Sequence, residues 1–147
     1  MISQQRSERS GACSVQAGLS LHGVQPWFGP EGGHSLCTLD FPWGHVRLSN
    51  EDFARYEREW RPLEADDAIA YHRDGFQQPR LTLEDSRAAA CAAGFEIVHW
   101  RETRVPLRDI HSGLATTALL DDCRRLNPRV TKRDLLTIGY SVLLRSL

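Results

Sequence analysis

The segment Thr82–Trp100, TLEDSRAAACAAGFEIVHW, carries the clearest fold information in the sequence. Thr82 and Asp85 match the capping-box pattern, with aspartate in place of the usual glutamate, and predict the start of a helix. The alanines that follow favour the helix, and Gly94 stands where helices commonly end on a left-handed residue. Phe95–Trp100 is rich in β-branched and aromatic residues, which predicts a strand. The segment therefore predicts a helix that leads directly into a strand.

A second strand is predicted near the end of the chain, where Gly139–Arg145 has the sequence GYSVLLR. Shortly before it, Thr131 and Asp134 repeat the capping pattern and predict one helical turn. We expect Phe95–Trp100 and Gly139–Leu144 to lie side by side and antiparallel; the alternative is that Leu135–Leu144 continues as a helix from Thr131. The sequence thus predicts an α/β fold whose last two strands form an antiparallel pair flanked by helices.

An aromatic helix is predicted in the first half of the chain. Ser49 and Asp52 give a third capping pattern, and the helix they start must end before Pro62. Three aromatic side chains recur along it at helical spacing, and we expect them to face the core, with the wall of a pocket as the alternative. They are Phe53, Tyr56 and Trp60.

Weaker patterns predict the remaining elements. A helix is expected over Ile110–Leu126 and a helical turn over Ala68–Tyr71. Short extended pieces are expected over Val15–Leu21, Ser35–Phe41 and Val46–Leu48.

Composition bounds the class of protein. The 147 residues suit one domain, here expected over residues 15–147, after a polar, aperiodic tail at 1–14 that we expect to be disordered. The net charge of −1 gives no electrostatic reason to expect nucleic acid or an anionic membrane as a partner. With no apolar run of transmembrane length and no signal-peptide pattern, we expect a cytoplasmic protein. Cys91 and Cys123 lie within helical patterns and are expected in the core.

The central stretch Pro26–His45, PWFGPEGGHSLCTLDFPWGH, contains the candidate functional residues. Its glycines and prolines predict a loop with His34 and His45 at two bends. Apolar walls with a few polar groups are typical of small-molecule pockets, and four aromatic residues are available for such walls: Trp27, Phe28, Phe41 and Trp43. The alternative is that the aromatic residues anchor a long loop on the core and that the histidines cap turns.

The order of these motifs resembles the C-terminal half of class I S-adenosylmethionine-dependent methyltransferases. In that family a glycine-ended helix leads into the sixth strand, as at Ala93–Val98, and the seventh strand inserts antiparallel between the fifth and the sixth, as expected for Gly139–Arg145. The loop after the fifth strand in some members is similar to Pro26–Phe28, Gly32–His34 and Pro42–His45. The resemblance implies the C-terminal part of a Rossmann-like methyltransferase sheet.

The resemblance also implies a function. The protein would methylate a small-molecule acceptor with S-adenosylmethionine as cofactor, and His34 or His45 would serve as the base or as an acceptor-binding group. Acceptor contacts are expected from four residues of the same loop: Trp27, Phe28, Gly33 and Trp43.

One family feature is missing from this sequence. No GxGxG turn occurs, so no cofactor-binding residue is assigned. The chain is expected to be a substrate-side half that binds S-adenosylmethionine weakly or not at all by itself. The absence of the neighbouring strands would leave an unpaired sheet edge, through which we expect self-association.

Two other functional classes remain open. The same loop would also suit a non-catalytic ligand-binding or protein-interaction domain. A metal site would need ligands such as His22, His34 and His45, whose spacing matches no compact motif, and no GxSxG elbow supports a hydrolase.

Overall fold

The computed structural model describes residues 18–30, 32, 39–75, 80–106 and 108–147. In these residues three strands form one sheet: β1 (Leu19–Val24), β2 (Phe95–Arg104) and β3 (Thr137–Ser146). β3 lies in the middle and is antiparallel to both neighbours, so β1 and β2 run parallel to each other on its two sides. The fold is mixed α/β, with a small antiparallel sheet and surrounding helices.

The predicted pairing of the last two strands is confirmed. Ile97 lies opposite Leu144 and Trp100 lies opposite Val142, with a register shift at residue 98. Leu21 of β1 lies opposite Leu143 on the other side of β3. The first strand begins and ends slightly later than the predicted Val15–Leu21, whose first three residues lie outside the described part.

Helices connect and cover the strands. They are α1 (Gly44–Arg47), α2 (Asn50–Trp60), α3 (Ala65–Ala70), α4 (Leu83–Ala92), α5 (Ile110–Leu114), α6 (Thr117–Arg124) and α7 (Lys132–Leu135), with a π-helical turn at Tyr71–Gly75 after α3. In the described part of the chain, no helix has the length and apolar character that a membrane span requires.

The predicted capping patterns are confirmed at all three helix starts. Ser49 accepts a hydrogen bond from the backbone N–H of Asp52, and complete capping boxes begin α4 and α7. The second of these joins two helices, because Asp134 Oδ1 also accepts from the N–H of Leu83 at 2.8 Å. Gly94 ends α4 with a φ of 81°, as the sequence indicated.

Two predicted secondary-structure spans are wrong. Val46 and Arg47 are helical and only Leu48 is extended, since the backbone N–H groups of Arg47 and Leu48 donate to the carbonyls of Trp43 and Gly44 and close a helical turn. The helix expected over Ile110–Leu126 breaks after Leu114, because the hydroxyl of Thr116 accepts from the N–H of Leu119 and starts a new helix. The predicted strand over Ser35–Phe41 lies largely outside the described residues, and residues 39–41 form no strand.

The core lies between the central loop and the helices. Its main buried cluster contains no strand residue and consists of Trp27, Phe28, Trp43, Val46, Ala115, Cys123, Val130 and Leu135. The aromatic stripe of α2 is only partly in the core: Phe53 is buried, but Trp60 at the helix end is 68% exposed. Cys91 is exposed on α4, contrary to expectation, whereas Cys123 is buried.

Candidate functional site

A tight turn after β1 directs the first aromatic residues inward. The N–H of Gly29 donates to the carbonyl of Pro26, and the N–H of Gly32 donates to that of Gly29. A Cβ atom at Gly29 would collide with the carbonyl oxygen of Thr137, and one at Gly32 with that of Trp27. Only glycine therefore permits this close approach of backbone to backbone.

The three predicted acceptor-binding aromatic residues that the structure describes are all buried. Trp27 and Phe28 are 3% exposed and Trp43 is fully buried. The indole Nε1 of Trp43 donates to the carbonyl of Leu135 at 3.0 Å. Trp43 also has a φ of 58°, a left-handed conformation that costs a non-glycine residue roughly 1–2 kcal/mol. Its burial and its hydrogen bond offset that strain.

His45 lies beside Trp27 in the interior. Its side chain is 3% exposed, and its ring meets the Trp27 ring edge to face at 5.4 Å. Its Nε2 is 2.7 Å from the carbonyl oxygen of Trp27, which can only accept, so Nε2 carries the proton. Burial lowers the pKa of His45 to about 4. The ring is therefore neutral at pH 7, and its Nδ1 is an acceptor for which the described residues supply no donor.

A second buried histidine, which sequence reasoning missed, completes this region. His72 in the π-helical turn is 7% exposed and stacks on Phe53 at 4.0 Å. Its ring lies 6.2 Å from that of Trp27. Burial and the nearby Arg80 lower its pKa to about 4, and its Nε2 has no partner among the described residues. We call Trp27, His45, Phe53 and His72 the aromatic–histidine cluster.

Arg80 connects this cluster to a solvent-accessible cleft. Its guanidinium lies over the Trp27 ring at 4.9 Å. The cleft has a volume of about 390 Å³, within the range of small-molecule sites. Its lining includes Phe28, Arg80, Leu81, Leu126, Pro128 and Val130. We call it the Phe28–Arg80 cleft, and no local sequence signal marked it, because its walls come from three separate segments.

The structure thus brings together part of the predicted site. Trp27 and His45 are in contact, Phe28 forms a wall of the cleft, and Trp43 packs against His111 at 5.7 Å. His34 and Gly33 lie outside the described residues. In the described part of the chain, no group of three His, Cys, Asp or Glu side chains is placed to hold a metal ion.

Comparisons with known proteins add no relative. No protein-family model matches the chain, and neither a curated protein nor a solved structure matches it significantly.

Proposed function

We propose that this chain forms the substrate-side part of an S-adenosylmethionine-dependent methyltransferase that acts on a small-molecule acceptor. The observation that carries the proposal is the position of β3. It is the last strand in sequence, yet it lies between β1 and β2 and is antiparallel to both. This is the arrangement that the resemblance implies for the fifth, seventh and sixth strands of the family.

The described residues do not fit the complete cofactor. In the family a glycine-rich turn brings its backbone close to the bound molecule. Here the open faces of Gly29 and Gly32 are occupied by the carbonyl groups of Thr137 and Trp27, so this turn cannot cradle a ligand. The groups that hold the cofactor must therefore come from elsewhere, and we derive no transfer step through it.

The chain's own residues suit binding of the acceptor. The Phe28–Arg80 cleft offers an apolar wall and a cation at the surface. Behind it, the neutral His45 has an unprotonated Nδ1, the form that a general base requires. Because His45 is 3% exposed, access of an acceptor to Nδ1 would require movement of the surrounding loop.

Titration with S-adenosylmethionine tests the proposal. Each missing hydrogen bond to a charged cofactor group removes roughly 1.5–3 kcal/mol, and each 1.4 kcal/mol is about tenfold in affinity. We therefore expect calorimetry to give a Kd weaker than about 1 mM. Ligands of α/β sheets bind at the carboxyl ends of parallel strands, so the amide NMR shifts should concentrate on Val24–Phe28.

The start of β1, Gly18 and Leu19, serves as the internal control for that experiment. Shifts confined to this opposite end, or no shifts up to about 10 mM ligand, would argue against the methyltransferase. A micromolar isotherm would show that the chain contains a complete cofactor site.

A non-catalytic ligand-binding or interaction domain is the second candidate. It is favoured by the burial of His45 and by the exposed leucines of β1, Leu19 at 61% and Leu21 at 73%. Binding of a small molecule at the cleft without any cofactor-induced shift at Val24–Phe28 would select this function.

A further inference from the structure

We propose that the Phe28–Arg80 cleft binds a small planar anion, a carboxylate attached to an apolar ring system. Binding itself requires no cofactor. Only the identification of this anion as the methyl acceptor rests on the proposed function.

The charge of the cleft supports an anionic ligand. Arg80 forms no salt bridge with any described carboxylate. The other two charged residues of the lining neutralise each other, since Arg129 is paired with Asp85. Asp85 is further occupied by the Thr82 hydroxyl, which donates to it at 2.8 Å in the capping box of α4. Among the described residues that line the cleft, the uncompensated charge is therefore the guanidinium of Arg80.

The position of Arg80 favours a planar carboxylate. Its guanidinium lies over the Trp27 ring at 4.9 Å, a cation–π contact that favours one position of the side chain. A guanidinium fork matches the two oxygens of a carboxylate. Because the side chain is already held in place, less conformational entropy is lost when the ligand binds.

The wall of the cleft favours an apolar ring. Phe28 and Val130 are almost fully buried at its floor, and Leu126 is 47% exposed at its rim. Leu81 and Pro128 complete the apolar lining. A volume of about 390 Å³ accommodates a molecule of one or two rings.

A bound anion should also change the pKa values of the two histidines in the aromatic–histidine cluster behind the cleft. Burial is the main cause of the low pKa of His45 and His72, and the positive charge of Arg80 lowers both pKa values further. A carboxylate on Arg80 would offset that charge, so ligand binding should raise both pKa values. Histidine ring NMR signals followed against pH therefore give a readout that does not depend on catalysis.

The test compares indole-3-carboxylate with its neutral analogue indole-3-carboxamide, by calorimetry and NMR titration on the full chain. We expect the acid to bind at least tenfold more tightly, and its affinity to fall with added salt while that of the amide does not. Arg80→Gln should remove the difference between the two probes. Arg58→Gln, an exposed arginine on α2, is the matched control and should keep it.

The conservative variant Phe28→Leu separates the effect of charge from that of shape, because it should weaken the binding of both probes by a similar factor. Equal binding of acid and amide, or a preference that survives Arg80→Gln, would overturn the inference. Preferential binding of the acid without cofactor-induced shifts at Val24–Phe28 would retain this site and remove the proposed methyltransferase. Cofactor-induced shifts at Val24–Phe28 without a preference for the acid would exclude the anion site and retain the proposed methyltransferase.

Discussion

The main buried cluster and the sheet are stabilised in different ways. Trp43 in the cluster is fully buried, carries a strained backbone and has its indole N–H bonded to Leu135. In the sheet, one face is partly covered, with Arg87 of α4 over Trp100 at 4.6 Å and Trp100 stacked on Tyr140. β1 at its edge instead exposes Leu19 and Leu21. Most of the folding free energy should therefore come from loop and helix packing, whereas the sheet leaves apolar side chains of β1 exposed.

Removal of the Trp43 side chain should have the largest effect. We expect Trp43→Ala to lower the free energy of unfolding by about 3–5 kcal/mol, because it leaves a large cavity and an unpaired carbonyl at Leu135. Trp60→Ala is the control, since that side chain is 68% exposed, and should cost less than about 1 kcal/mol. Urea denaturation of both variants measures the difference. Similar losses would show that burial does not distinguish the two tryptophans.

Acid should destabilise the protein through the two histidines of the aromatic–histidine cluster. The pKa of His45 is about 4 in the folded protein and 6.5 for a histidine exposed to water, so the unfolded state binds more protons between these values. The stabilisation is complete above pH 6.5 and is lost as the pH falls towards 4, by roughly 3 kcal/mol from His45. His72 adds to the loss in the same direction.

Urea midpoints measured from pH 7.5 to 4.5 follow this loss. His45→Gln should flatten the dependence, whereas His99→Gln, at an exposed position of β2, should leave it unchanged. If the urea midpoint of His45→Gln depends on pH as that of the wild type does, groups other than His45 govern the loss of stability in acid.

A smaller effect is expected at the junction of two helices. Asp134 accepts hydrogen bonds from Thr131 and from the N–H of Leu83, so it caps both α7 and α4. Asp134→Ala should cost about 1–2 kcal/mol, and Asp134→Asn should cost less because one acceptor oxygen remains. Asp121→Ala on exposed α6 is the matched control. Hydrogen exchange should locate the loss in the first turns of α4 and α7, and protection unchanged there would contradict the double cap.

The smallest effect on stability, and the largest on association, is expected at β1. In the described part of the chain β1 pairs only with β3, and an unpaired strand edge with exposed leucines is a template for pairing with a second copy. We expect the protein to associate at high concentration in sedimentation experiments, and Leu21→Lys to prevent this while changing stability by less than about 0.5 kcal/mol. A strictly monomeric wild-type protein over the whole concentration range would show that the edge is not an association surface.

Local sequence rules predicted the elements whose determinants lie close together in the chain. Thr82 with Asp85, and Thr131 with Asp134, define helix starts within three residues, and Gly94 defines a helix end. These signals depend on backbone hydrogen bonds and on φ, which are short-range quantities. The same rules failed at Val46 and Arg47, where the turn depends on the left-handed Trp43. A tryptophan gives no local sign of that conformation.

The sequence by itself determined the capped helices, the antiparallel pair of β2 and β3, and the glycine- and proline-rich turn after Trp27. Only the tertiary structure decided that His72 lies beside His45, that Trp60 faces solvent and that Arg80 lies over Trp27 at the mouth of a cleft. The physical reason is range: capping and strand patterns act over a few residues. Burial, pKa shifts and ring contacts instead depend on segments that are far apart in the chain and meet only when the core packs.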